Sequence, residues 1–127
     1  MEKKVVFTSE APAAIGPYSQ AIAVGNTLYT SGQLGIDPHT GELCSGVEAQ
    51  ARQALMNLGA ILQSYSMNYA HIVKTTVFLT DLKDFAAVNA IYQTFFPDSP
   101  PARSCIQVSA LPKGGLVEIE CVAVKGI

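Results

Sequence analysis

The stretch Ile72-Val73-Lys74-Thr75-Thr76-Val77-Phe78-Leu79 constrains this chain more than any other. β-Branched and aromatic side chains dominate it, so a strand is expected. Alternation places Val73, Val77 and Leu79 on one face and Ile72 and Phe78 on the other, so both faces are apolar. Both faces of such a strand are expected to be buried.

The cover on one side comes from two amphipathic helices. Over residues 47–65, Val47, Ala51, Ala54, Leu55, Leu58, Ile61, Leu62 and Tyr65 recur at three- and four-residue intervals and form one apolar stripe. Gln50, Arg52, Gln53 and Asn57 fall largely elsewhere. Asp81 is an N-cap for a second helix reaching about Phe96, with Asp84 three residues on and Phe85, Val88, Tyr92, Phe95 and Phe96 as its stripe. Further strands are expected at residues 5–8, 21–24, 28–31, 102–109 and 116–124. Gly25-Asn26 makes the hairpin between the second and third. Residues 32–46, with their glycines and Pro38, read as loop.

The resulting order, β-ββ-α-β-α-ββ, is an α+β pattern: a mixed, largely antiparallel sheet with both helices packed on one face. Two helices cover one face of a five- or six-stranded sheet. The other face then needs a partner, and a second copy of the chain is the simplest, so a homo-oligomer is expected. Composition agrees. The chain is 49% hydrophobic and 14% charged, against about 25% charged for a typical domain, which suits buried subunit interfaces and excludes disorder. Its 127 residues fit a single domain spanning 1–127.

Charge and cysteine usage narrow the function. The net charge is −2, with six lysines and two arginines scattered along the chain, so nucleic acid is not the expected partner. No run approaches the ~18 apolar residues of a membrane span, and the first residues carry no apolar core of a signal peptide. Cys44, Cys105 and Cys121 form no CxxC and have no histidine at metal spacing, so free thiols in a cytoplasmic protein are expected.

The candidate chemistry centres on Arg103. It lies mid-strand with Cys105 and Gln107 on its face, and a guanidinium there needs an anion, either a protein carboxylate or a ligand carboxylate gripped by two parallel hydrogen bonds. Glu118 and Glu120, two apart, share a strand face. If the last two strands form a hairpin, these carboxylates share the polar face with Arg103, either as an ion pair or with one left for acid–base work on water. Asn89 is a polar amide on the apolar stripe of the second helix. It is either a satisfied core residue or the border of a pocket. Tyr18, after a Gly-Pro turn, and Ser31-Gly32, at a strand end, are further candidate ligand contacts. Cys105 reads as a small buried hydrophobe, since neither His39 nor His71 is set beside it. No phosphate-loop glycine pattern occurs.

Six segments together resemble the RidA/YjgF family of reactive-intermediate (enamine/imine) deaminases. They are Ala-Pro-Ala-Ala-Ile-Gly-Pro-Tyr-Ser-Gln from residue 11, Thr-Ser-Gly-Gln from 30, Lys-Thr-Thr-Val-Phe from 74, residues 85–89, Pro-Ala-Arg-Ser-Cys from 101 and Val-Glu-Ile-Glu from 117. They run through essentially the whole chain in order. The resemblance implies a chorismate-mutase-like fold, a homotrimer with sites between subunits, and hydrolysis of 2-imino acids such as 2-iminobutanoate and 2-iminopropanoate to 2-oxo acids and ammonia. It implies no cofactor and no metal. By position, Arg103 holds the substrate carboxylate and Glu118 activates water. Backbone around Ser31, Gly32 and Cys105 orients the ligand, Tyr18 lines the cleft, and Asn89 borders it. Other readings are a small-carboxylate-binding regulatory or chaperone-like trimer without turnover, and an endoribonuclease or translation inhibitor, which the acidic pI near 5.5 disfavours.

Overall fold

A computed structural model describes residues 2–126. Seven strands form one sheet: β1 (Lys3–Val6), β2 (Ala21–Val24), β3 (Thr27–Thr30), β4 (Gln33–Leu34), β5 (Ile72–Leu79), β6 (Ala102–Gln107) and β7 (Val117–Val124). Their order is β1-β2-β3-β7-β5-β6, with β4 beside β7 beyond the end of β3. Helices α1 (Val47–Ser64) and α2 (Phe85–Phe95) complete the fold. Every pairing is antiparallel except β5 with β6. That parallel pair is joined through α2, the crossover a parallel connection requires.

The expected mixed sheet with two helices is therefore present, but the last two strands do not form a hairpin. β5 lies between β6 and β7. The physical reason is β5 itself. A strand with apolar residues on both faces takes an inner place, and there it gains two ladders instead of one.

The helix face of the sheet holds the core. Leu28, Val77, Leu79, Val117, Ile119 and Ala123 meet Leu55, Leu58, Ile61 and Leu62 of α1, all essentially without solvent exposure. Gly25, at φ 60°, makes the two-residue turn in which Val24 faces Thr27. A β-bulge between Ile72 and Lys74 changes the expected faces of β5. Ile72 joins the buried set with Thr75, Val77 and Leu79, while Val73 is turned out and is 40% exposed. The opposite face keeps Val5, Tyr29 and Ile106 exposed.

Three further expectations change. Residues 32–46 contain β4 rather than loop alone. Asp81 caps a 3₁₀ turn, Leu82–Asp84, by accepting from the Lys83 N–H at 2.9 Å, and α2 begins only at Phe85. Gln50 and Asn57 lie at the buried seam of α1, not away from it. Asn57 donates to the carbonyls of Leu34 (3.1 Å) and Ile36 (2.9 Å) and accepts from Gln53 (2.9 Å). Gln50 accepts from the Leu116 N–H (2.8 Å) and donates to the Cys44 carbonyl (2.9 Å). Buried amides are stable when satisfied in this way, and here they fix the segments around β4 to the helix.

Candidate functional site

Arg103 rises from the edge strand β6. Its register partner is Thr75, which is fully buried on the helix face, so the guanidinium points toward α2. Phe85, Asn89 and Tyr92 stand at i, i+4 and i+7 on that helix and form its seat. Arg103 Nη1 donates to Asn89 Oδ1 at 2.7 Å. The guanidinium carbon lies 4.8 Å from the Tyr92 ring centre and 5.4 Å from that of Phe85, within cation–π range. Tyr92 is itself fixed by a 2.7 Å hydrogen bond between its hydroxyl and that of Thr75. The one ion pair among the described residues is Lys83–Asp81, at 3.5 Å. Arg103 thus has an amide and two rings for neighbours, and no carboxylate.

The expectation that Glu118 and Glu120 share a face with Arg103 is overturned. Glu118 pairs with Phe78 and Glu120 with Thr76, alternating away from the buried Val77, so both carboxylates stand on the opposite face of the sheet. The intramolecular ion pair falls with it. Burial raises the Glu118 carboxyl above its ordinary value, and the charge of Glu120 raises it further. Glu118 borders a cleft of about 440 Å³, lined also by Tyr18, Gly32, Ile15, Leu34 and Lys113.

The wall of that cleft is built by a latch. Gln20, 3% exposed, accepts from the Thr8 N–H (2.8 Å) and donates toward the carbonyls of Thr8 (3.0 Å) and Pro12 (2.8 Å). It thereby folds the segment bearing Ile15 and Tyr18 over the cleft. Ser31 ties the same segment down, its hydroxyl donating to the Ser19 carbonyl at 2.6 Å. That bond engages the Ser31 hydroxyl, and Ser31 is not among the residues that line the cleft.

The candidate residues fall into two separate clusters. Arg103 and Asn89, with Cys105 two residues along the same strand face, form one; Tyr18, Gly32 and Glu118 form the other. One chain does not bring the two together. Cys105 is partly buried, and burial raises its thiol despite the nearby Arg103; Cys121 is buried and pushed up to about 12. Neither is poised as a thiolate. A wider hollow of about 1080 Å³ beside α1, reaching Met56 and Tyr69, holds none of these residues. Among the described residues no cluster of His, Cys, Asp or Glu could hold a metal ion, and no helix is long and apolar enough to cross a membrane. Sequence reasoning missed the latch amides Gln20, Gln50 and Asn57. Gln50, Ala54, Asn57 and Ile61 do recur at spacings of four and three, the signal that places the last two amides on the buried seam.

The endoribonuclease L-PSP family model matches residues 8–125, and the chain belongs to that family, the RidA/YjgF family its motifs resemble. The mouse (Mus musculus) 2-iminobutanoate/2-iminopropanoate deaminase is 54% identical over 125 residues, covering 98% of this chain and 93% of that protein. The crystal structure of the E. coli YjgF gene product superposes with a TM-score of 0.93 at 50% identity, over 96% of this chain and 98% of that one. That of E. coli TdcF with bound serine does so with a TM-score of 0.94 at 44% identity, over 97% and 99%.

Proposed function

We propose that the protein is a 2-iminobutanoate/2-iminopropanoate deaminase, hydrolysing small 2-imino acids to 2-oxo acids and ammonia without metal or cofactor. It acts as a single 1–127 domain, in a chorismate-mutase-like homotrimer of the cytoplasm. The observation that carries this reading is Arg103, a guanidinium seated by Asn89 and two rings and free of any carboxylate. Of its five N–H donors one goes to Asn89, and a planar two-donor fork remains for a ligand carboxylate. The identity to named deaminases over almost the full chain supports the substrate class.

The chemistry asks for little beyond placement. The iminium carbon is already electrophilic, so holding the carboxylate and setting one water against that carbon is most of the task. Glu118 takes a proton from the water as its oxygen bonds to the carbon. The protonated Glu118 passes that proton to the carbinolamine nitrogen; as the C–N bond breaks and ammonia leaves, the hydroxyl gives its proton to Glu118 and its O–H electron pair completes the C=O of the 2-oxo acid. A general base of this kind supplies about 10²–10⁴-fold.

Because Arg103 and Glu118 stand on opposite faces of one sheet, a site using both draws them from two subunits. The outward Val5, Tyr29 and Ile106 supply apolar surface for the contact. Complementation tests it. Arg103→Ala and Glu118→Gln are each expected to be inactive alone. Trimers reassembled from an equal mixture should regain about a quarter of wild-type activity, the fraction of interfaces with both intact residues. Mixed trimers that stay inactive refute the shared site. A mass near 13.4 kDa in light scattering refutes the oligomer, whereas three copies weigh about 40 kDa.

A further inference from the structure

The ladder along β7 is broken between β3 and β4. Tyr29 faces Val122 and Gln33 faces Ile119, so three residues, Thr30 to Gly32, stand against Glu120 and Cys121. The extra residue makes a bulge, and the Thr30 hydroxyl accepts the Cys121 N–H at 3.0 Å inside it. Continued from Gln33, the register sets Gly32 opposite Glu120, on the face that carries the Glu118 side chain.

The backbone does not ask for glycine there. Positive φ occurs at Gly16, Gly25, Gly41, Gly46, Gly114 and Gly126, and Gly32 is not among them. Space is what the missing side chain leaves. A Cβ on Gly32 would lie 2.7 Å from Cδ, 2.9 Å from Cγ and 3.0 Å from Oε1 of Glu118. Gly35, three residues on, gives the contrast: its Cβ would meet the backbone of Gln50 in α1, which has nowhere to go. The atoms opposing Gly32 are the end of a flexible side chain, and they can retreat without disturbing the fold.

We infer that Gly32 is a positioning residue for the water-activating carboxylate: its bare α-carbon is the floor on which the Glu118 carboxylate rests, and any side chain there dislodges the base while leaving sheet and cleft in place. Moving Glu118 Cδ from 2.7 Å out to ordinary contact at 3.4 Å is a retreat of at least about 0.7 Å. A displacement of that order at a base is enough to cost about 10²-fold in rate. This role is distinct from contact between the Gly32 backbone and ligand, and it rests on the reading of Glu118 as the base.

A double-mutant cycle tests it, following 2-iminobutanoate hydrolysis generated in situ together with 2-oxobutanoate affinity by calorimetry. Gly32→Ala should remain folded and bind 2-oxobutanoate within threefold of wild type, yet lose about 10²-fold in kcat. Added to Glu118→Gln, the same substitution should cost nothing further, because the base it displaces is already gone. Three results overturn the inference: kcat of Gly32→Ala within twofold of wild type, a loss that multiplies undiminished onto Glu118→Gln, or product binding weakened as much as kcat. If Gly32→Ala does not fold, Gly32→Ala/Glu118→Ala must, since truncating Glu118 empties the space; failure of that pair too would place the glycine requirement in the backbone and refute the idea. Normal turnover by Glu118→Gln alone would instead refute the function on which the inference rests.

Discussion

The Arg103 corner and the Glu118 cleft solve opposite problems. Arg103 is fixed by its own chain, with one hydrogen bond to Asn89 and two aromatic faces, on an edge strand and on the helix side of the sheet. Its planar guanidinium is a stiff fork of donors, so the fold can orient it as one rigid body. Glu118 stands on the inner strand β7, on the outward face, where burial and Glu120 both resist its ionisation. A group that must accept and release a proton benefits from that resistance, because an acceptor closer to neutrality is a better base. In the proposed site the charge that binds is held rigid, and the carboxyl that reacts is held above the ordinary carboxylate value. The intervening strand β5 keeps the two from neutralising each other within one chain.

Removing the rigid partner should have the largest effect. Arg103→Ala is expected to lose at least about 10²-fold in kcat/KM, since the proposed carboxylate clamp would orient the whole substrate. Arg103→Lys should recover little of it, because an ammonium is a point charge without the planar fork. Near-normal kcat/KM for the lysine variant in the imine assay would show that charge alone suffices. A smaller effect is expected at the seat. Asn89→Ala removes the 2.7 Å hydrogen bond but leaves both rings. A hydrogen bond to a charged group is worth about 1.5–3 kcal/mol, so KM should rise about tenfold with kcat less affected. An unchanged KM would mean that the rings alone orient Arg103.

The contrast also separates what the sequence made legible from what it hid. Helix α1 was readable because an eighteen-residue amphipathic stripe repeats its signal many times over. Asn89 was readable as a polar residue out of pattern, and it proved to be the Arg103 partner. The relation of Arg103 to Glu118 was not readable, because local alternation sets the face of each residue within its own strand and says nothing of which strands are neighbours. Chain adjacency suggested β6 beside β7, whereas pairing placed β5 between them. A single extra residue had a similar effect twice. The bulge near Val73 exchanged the faces of Ile72 and Val73, and the one at Thr30–Gly32 sets Gly32 on the face of Glu118. Strand period is two, so one inserted residue reverses every inference beyond it. Gln50 and Asn57 were overlooked for another reason: their spacing with Ala54 and Ile61 put them on the seam, but the carbonyl and N–H partners that make a buried amide tolerable are distant in sequence.

The smallest expected effect is the most specific to the Glu118 cleft. The proposed base role requires Glu118 to be ionised, so kcat/KM should fall on the acid side as pH passes through its pKa in the free enzyme. That pKa lies above the ordinary 4.5, with burial the larger cause and Glu120 the smaller, which sets the acid limb at higher pH than a solvent-exposed carboxylate would give. Glu120→Gln removes the like charge and leaves burial in place. The limb should therefore move toward lower pH without reaching the ordinary value, while the plateau above it changes little. Stability carries the same sign. A carboxyl whose pKa is raised on folding contributes stability that is fully present below 4.5 and lost as pH rises through the folded value. Glu120→Gln lowers that upper bound, so less stability is lost across the window and thermal melts at pH 4 and pH 7 should differ less than in the wild type. An acid limb that stays fixed, or moves upward, would show that Glu120 does not act on Glu118 and would leave burial as the sole tuning of the base.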